Sequence, residues 1–189
     1  MNGQTLENQA VIYGLIGSLR AKQNWCGETH IQKTVFFLEE LGNHPLGYDF
    51  ILYKHGPFSF ILSEDLAGMG ALRFIDEEIA NPNYGPRLKQ NLEVEQMLQN
   101  QFGRKLQPLQ PSIDYVVSKL SDYGVATLER LATALYFTKK EPISGSEGRA
   151  QKINEVKPHI SVTLALDAVK KVDGIIVEWN ERFPQKGAA

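Results

Sequence analysis

The residues of this chain with the most chemical reach are four histidines, His30, His44, His55 and His159, and a single cysteine, Cys26. Cys26, Glu28, His30 and His44 offer thiolate, carboxylate and imidazole donors, all of which suit zinc. Their spacing matches no zinc knuckle, so no metal and no cofactor is expected, and the histidines read as surface or capping residues around turns. A lone cysteine in such a chain reads as an inert small hydrophobe rather than a nucleophile. Gly68-Met69-Gly70 has the spacing of two phosphate-loop glycines, but it falls at the end of a helical pattern instead of ahead of one. There is no HExxH, CxxC or GxSxG. The chain is therefore expected to be non-enzymatic.

His55 sits in Tyr53-Lys54-His55-Gly56-Pro57-Phe58-Ser59. A strand ends there, a glycine permits a sharp turn and a proline can open a helix. With no base or nucleophile nearby in sequence, the histidine reads first as a polar contact that orients the following helix, and next as a partner-binding residue.

The elements that must position these residues follow from periodicity. Val11, Ile12, Leu15, Ile16 and Leu19 stripe a helix over 6–22. Thr29 can cap a second, with Ile31, Val35, Phe36, Leu38 and Leu41 inward and Gly42-Asn43 at its end. His44–Gly47 reads as a turn and Tyr48–Tyr53 as a strand. Pro57 is expected in the first turn of a third helix, Phe58 to about Met69. Arg73–Ile79 reads as a strand, 81–86 as a loop and Arg87–Gln90 as a returning strand.

The remainder reads as helix. Leu92–Phe102 comes first, then a linker over Gly103–Pro111. A helix from Ser112, ended by Gly124, precedes one striped by Leu128, Leu131, Ala132, Leu135 and Tyr136. Pro142–Gly148 is a loop, with Ser146 as N-cap of a short helix to Val156, and a last helix spans about Ser161–Arg182. The expected fold is mostly α with a small β-sheet: a winged-helix-like domain over 1–90, helix and linker over 91–111, and a helical domain over 112–189.

Ile31-Gln32-Lys33-Thr34-Val35-Phe36-Phe37-Leu38, taken with Tyr53–Ser59 and Leu62-Ser63-Glu64-Asp65-Leu66, resembles the YwgA-like proteins of bacteria and archaea. It is more distantly similar to the Panacea (SocA-like) antitoxin domains. Those families carry a "LQK-hydrophobic-Y" helix followed by a "YGPYS" turn, and 123–136 and 154–161 look like their helical second half. The resemblance implies a small, winged-helix-like, non-catalytic fold, with toxin-neutralising or adaptor roles in some Panacea members. It brings no catalytic set.

Charge then chooses between partners. Of 189 residues, 42% are hydrophobic and 22% charged, with a net charge of −2. Residues 1–90 hold seven basic and ten acidic side chains, a net of −3, leaving +1 for the rest. The third helix has no Lys or Arg and carries Glu64 and Asp65, so it forfeits the counterion release that drives DNA affinity. The wing sets Arg73, Arg87 and Lys89 against Asp76, Glu77 and Glu78. A protein partner is thus expected before DNA, with Arg73, Arg87 and Lys89 as the DNA-contacting set of the alternative. Phe36 and Phe37, and likewise Phe58 and Phe60, point in different directions, so one of each pair is expected in the core and the other outward. Phe37, Phe60 and His55 form the expected partner-binding set, the partner being a second copy or another protein, a toxin among them. No apolar run reaches the ~18 residues of a membrane span. The N-terminus shows no signal pattern, and the cysteine usage asks for no oxidising compartment, so the cytoplasm is expected.

Overall fold

The computed structural model describes residues 3–42, 46–81 and 84–184, with the side chains from residue 5 onward. His44 and its neighbours 43 and 45 lie outside the described residues, as do 82 and 83 of the loop. In chain order the elements are α1 (Gly3–Ala21), α2 (Glu28–Gly42), β1 (Ile51–Tyr53), β2 (Gly56–Phe58), α3 (Phe60–Ala71), β3 (Ile75–Glu78), β4 (Arg87–Gln90), α4 (Glu95–Leu106), α5 (Gln110–Leu120), α6 (Val125–Lys139), α7 (Ser146–Val156) and α8 (Val162–Arg182). The fold is mostly α with small β elements, as the periodicity predicts.

The organising element is α2. Every residue from His30 to Leu38 is buried, because α1, α3, α5, α6 and β2 all pack against this one helix. Its polar side chains are therefore interior groups that need partners. The α1 stripe of Val11, Ile12, Leu15, Ile16 and Leu19 is fully buried, and one hydrophobic core runs from Ala10 through Val116 and Leu131 to Trp179. That core includes residues of both 1–90 and 112–189.

The small β structure consists of two separate two-stranded antiparallel sheets. β1 pairs antiparallel with β2, setting Ile51 opposite Phe58 and Tyr53 opposite Gly56. β3 pairs antiparallel with β4, setting Glu77 opposite Leu88 and Glu78 opposite Arg87. The strand ahead of the third helix thus closes on its own return strand and stays apart from β3 and β4.

Pro57 is accordingly a strand residue, and α3 begins at Phe60 with Ser59 as N-cap. Gly56 makes the difference: at φ 81° it takes a conformation that turns the chain back at once. A Cβ there would stand 3.0 Å from Thr133 Oγ1 and 3.3 Å from the Glu129 carbonyl oxygen, so glycine also lets the hairpin lie down on α6.

Residues 103–111, read as a linker, are helical. α4 continues to Leu106, a 3-10 turn spans Gln107–Leu109, and α5 follows at once. Pro108 and Pro111 each fall in the first turn of a helical segment, where a proline forfeits no hydrogen bond. Gly124 likewise opens α6 as its N-cap instead of ending α5, and Gly145, at φ 75°, is the N-cap of α7 in place of Ser146. Ser161 does cap α8, its side chain accepting from the Leu164 amide.

Candidate functional site

The two motifs singled out in the sequence, on α2 and around Gly56, meet in the interior. Gln32 Nε2 donates to the Ser59 carbonyl at 2.9 Å, and the Ser59 amide donates to Gln32 Oε1 at 2.9 Å. One side-chain amide thus satisfies both backbone groups of a buried residue. Lys33 Nζ, on a side chain about 1% exposed, donates to the Pro57 carbonyl at 2.8 Å. From the other side Lys157 Nζ donates to the carbonyls of Tyr53 and Lys54. The β1–β2 hairpin is held at its turn by Lys157 and along its return strand by Gln32 and Lys33.

Glu129 of α6 lies within this clamp. Its side chain is 8% exposed, and its carboxylate stands 3.6 Å from Lys157 Nζ, 3.2 Å from His159 Nε2 and 3.6 Å from His55 Nδ1. Burial, aided by the Lys157 charge and opposed by Glu129 and Glu28, lowers the Lys33 ammonium to about 8. One buried carboxylate thereby counters two buried ammonium groups, whose hydrogen-bonding capacity goes to hairpin carbonyls.

The hairpin's outer side is aromatic. The rings of Tyr53, Phe58 and Phe60 form a triangle with centroids 5.9, 5.6 and 5.1 Å apart, tilted or edge to face. Phe60 is 52% exposed and Ile61 50%, with Tyr53 and Ile51 close to that. The Lys54 ammonium stands 6.0 Å over the Tyr53 ring. An apolar surface braced from behind by three buried polar side chains presents rigid contact residues.

Of the expected partner-binding residues, Phe60 is on this surface. His55 is at its edge, with a side chain 73% exposed above Glu129. Phe37 is not: it is 1% exposed and Phe36 is fully buried, because the stretch of α2 from His30 to Leu38 is covered on all sides. The expectation that one of those two phenylalanines points outward is therefore corrected. Phe36 instead packs on Phe50 and Tyr136, at 5.1 and 6.4 Å between centroids.

The three basic residues of the DNA alternative lie along the β3–β4 hairpin and its entry, where acidic residues stand opposite two of them. Arg87 is engaged by Glu78, with Nε to Oε2 at 2.9 Å and Nη2 to Oε1 at 2.8 Å. Lys89 is opposite Asp76 in the β3–β4 register. Arg73 is exposed on the turn after α3 with φ 58°, its carbonyl accepting from Asn91 Nδ2. Cys26 is fully buried and its thiol is pushed up to about 12 by burial, which keeps it protonated.

Sequence reasoning does not find Gln32, Glu129, Lys157 or His159 as site residues. A signal exists for two of them. Gln32 lies inside the quoted α2 motif, flanked by residues of the buried stripe, and Glu129 interrupts the Leu128–Leu131 stripe of α6. Lys157 and His159 flank Pro158 in a turn about 100 residues from the hairpin, and no local pattern ties the two together.

Among the described residues no group of three or more His, Cys, Asp and Glu side chains is placed to hold a metal ion. No helix among them is long and apolar enough to cross a membrane. Compared with known proteins, the chain matches no protein-family model, and no curated protein matches it.

Proposed function

We propose that this chain is a non-enzymatic regulatory or adaptor protein of the cytoplasm that binds a protein partner through its Tyr53–Phe58–Phe60 face. The observation that carries the reading is that aromatic triangle, exposed yet fixed from within by Gln32, Lys33 and Lys157. Aromatic side chains with few rotatable bonds bury large areas at low entropic cost, and so serve as anchors in protein interfaces. The surroundings suit an interface rim: Lys54, His55 and Glu64 are polar and exposed around an apolar centre. The likeness of the α2 and hairpin motifs to YwgA-like and Panacea proteins adds an antitoxin-like or adaptor role, with a toxin as one kind of partner.

The alternative, a winged-helix DNA-binding regulator, has weaker support. α3 exposes Glu64 and carries no cation, and Arg87 is already neutralised by Glu78.

The test places a photo-crosslinking amino acid at Phe60 in one variant and at Glu147, on α7, in a second. A single partner captured at Phe60, absent from the Glu147 control and lost when Ile61→Ser is added, is the expected result. Equal capture at both positions would overturn the reading. Light scattering of the same samples distinguishes a second copy from a different protein.

A further inference from the structure

Apart from the hairpin face, the start of α2, one side of α3 and the β3–β4 hairpin enclose a cleft of about 400 Å3. That volume lies in the range of small-ligand sites. Its walls are chemically one-sided. Trp25 and Tyr84 supply the aromatic surface, with ring centroids 5.5 Å apart. Leu66 supplies aliphatic surface, and Glu28 and Glu77 supply two carboxylates. No Lys or Arg among the described residues lines the space.

Each wall is fixed in place. Trp25 Nε1 donates to the Gly85 carbonyl at 3.2 Å, which ties the indole to the segment carrying Tyr84. Ser63 Oγ donates to Glu28 Oε1 at 2.7 Å, bracing that carboxylate from α3. Leu88 is buried, and its amide donates to the Cys26 carbonyl at 2.8 Å, which docks β4 beside the start of α2. Leu88 faces Glu77 across the hairpin, so the same docking sets the second carboxylate. Glu77 forms no ion pair among the described residues. His30 is 6% exposed and lines the same space; burial lowers its ring from the ordinary imidazole value, which disfavours a positive charge there.

Electron-rich rings beside carboxylates that form no direct ion pair among the described residues favour one class of ligand, a cation on an apolar body. The Trp25 ring already accepts such a group, since the Arg87 guanidinium stands 5.6 Å from its centroid while Arg87 itself does not line the cleft. We infer that the cleft bounded by Trp25, Tyr84, Glu28 and Glu77 binds an organic cation, a guanidinium or ammonium group carried on a short apolar stem. An anion is disfavoured there by both carboxylates, although the space adjoins the N-terminus of α2. This site is separate from the Tyr53–Phe60 surface and does not rest on the function proposed for it.

Two sources carry this chemistry, free amines and arginine side chains of a peptide. Titration with agmatine, and with a capped alanine pentapeptide bearing a central arginine, distinguishes them. Trp25 and Trp179 are the two tryptophans of the chain, and Trp179 is buried and does not line the cleft, so a ligand-dependent change in fluorescence reports on Trp25, with calorimetry as a second readout. Binding of either probe, with quenching lost in Trp25→Phe, supports the inference, and the probe that binds identifies the source. Glu28→Gln combined with Glu77→Gln is expected to raise Kd about tenfold or more with the melting temperature unchanged. The inference is overturned if neither probe binds at millimolar concentration. It is equally overturned if a citrulline peptide binds as well as the arginine peptide, or if the double variant binds as the wild type does.

Discussion

Gln32 and Ser59 are 27 residues apart and share two hydrogen bonds of 2.9 Å, one in each direction, in the interior of the protein. The arrangement copies the way one backbone unit pairs with another, but with a side chain of α2 as the second strand. It fixes where the β1–β2 hairpin ends and where α3 begins. Ser59 can then use its hydroxyl to cap the helix at the Leu62 amide.

Replacing Gln32 with Ala leaves the Ser59 amide and carbonyl buried without those partners. Each orphaned group costs about 1–3 kcal/mol, so Gln32→Ala is expected to lose about 2–6 kcal/mol in urea unfolding. Gln32→Glu keeps the acceptor but not the donor and should fall at least as far, since it also buries a charge. A loss under about 0.5 kcal/mol for Gln32→Ala would show that the pair does not hold the hairpin.

The buried Lys33 makes a pH prediction. Its ammonium is lowered from 10.5 to about 8 in the folded state, chiefly by burial. Between those values the unfolded chain binds the proton more fully than the folded one, so stability rises with pH across about 8 to 10.5. Below about 8 both states are protonated and the full cost of burying the charge is present. Lys33→Met removes this titration. The stability difference, wild type minus Lys33→Met, should therefore become more favourable to the wild type from about pH 8 upward; a flat difference would contradict the assignment.

Phe37 and Phe60 separate core from surface. Phe37→Ser empties a fully buried position on α2 and is expected to cost more than about 3 kcal/mol. Phe60→Ser alters a half-exposed ring and should stay within about 1 kcal/mol, while weakening partner capture. Chemical denaturation of both variants checks the pair. Equal losses would mean that Phe60 is integral to the fold and not free for a partner.

Much of this is legible in the residues themselves, and the failures have physical causes. Helical periodicity locates α1, α2, α6 and α8, because each buries a continuous apolar stripe. Proline misleads twice, in opposite directions. At Pro57 the turn enabled by the preceding glycine outweighs helix initiation, and at Pro108 and Pro111 helix initiation outweighs chain breaking. Phe37 misleads because a three- to four-residue period assumes a helix with one wet face, and the stretch of α2 from His30 to Leu38 has none. The aromatic face needs only Tyr53–Phe60 and is partly visible. The Glu129–Lys157–His159 side of the clamp is not, since it joins elements whose proximity follows from packing alone.

Glu129 offers the sharpest test of the clamp. Among the described residues its carboxylate is the one acidic group placed against Lys157 and both nearby histidines, and it supports the charge on Lys33. Glu129→Gln preserves shape but removes the negative charge from beside two buried ammonium groups. Breaking a buried ionic set by taking one member typically costs about 3–5 kcal/mol, because the remaining charge is left uncompensated. The expected result is a loss of that order at about pH 7 that shrinks as pH rises through the Lys33 titration and the ammonium can shed its proton. Adding Lys33→Met to Glu129→Gln should recover part of the loss, as one of the two unbalanced charges is gone. Strictly additive losses in the double variant would show that Glu129 and Lys33 do not interact, and that the hairpin is held by hydrogen bonds without the charge balance.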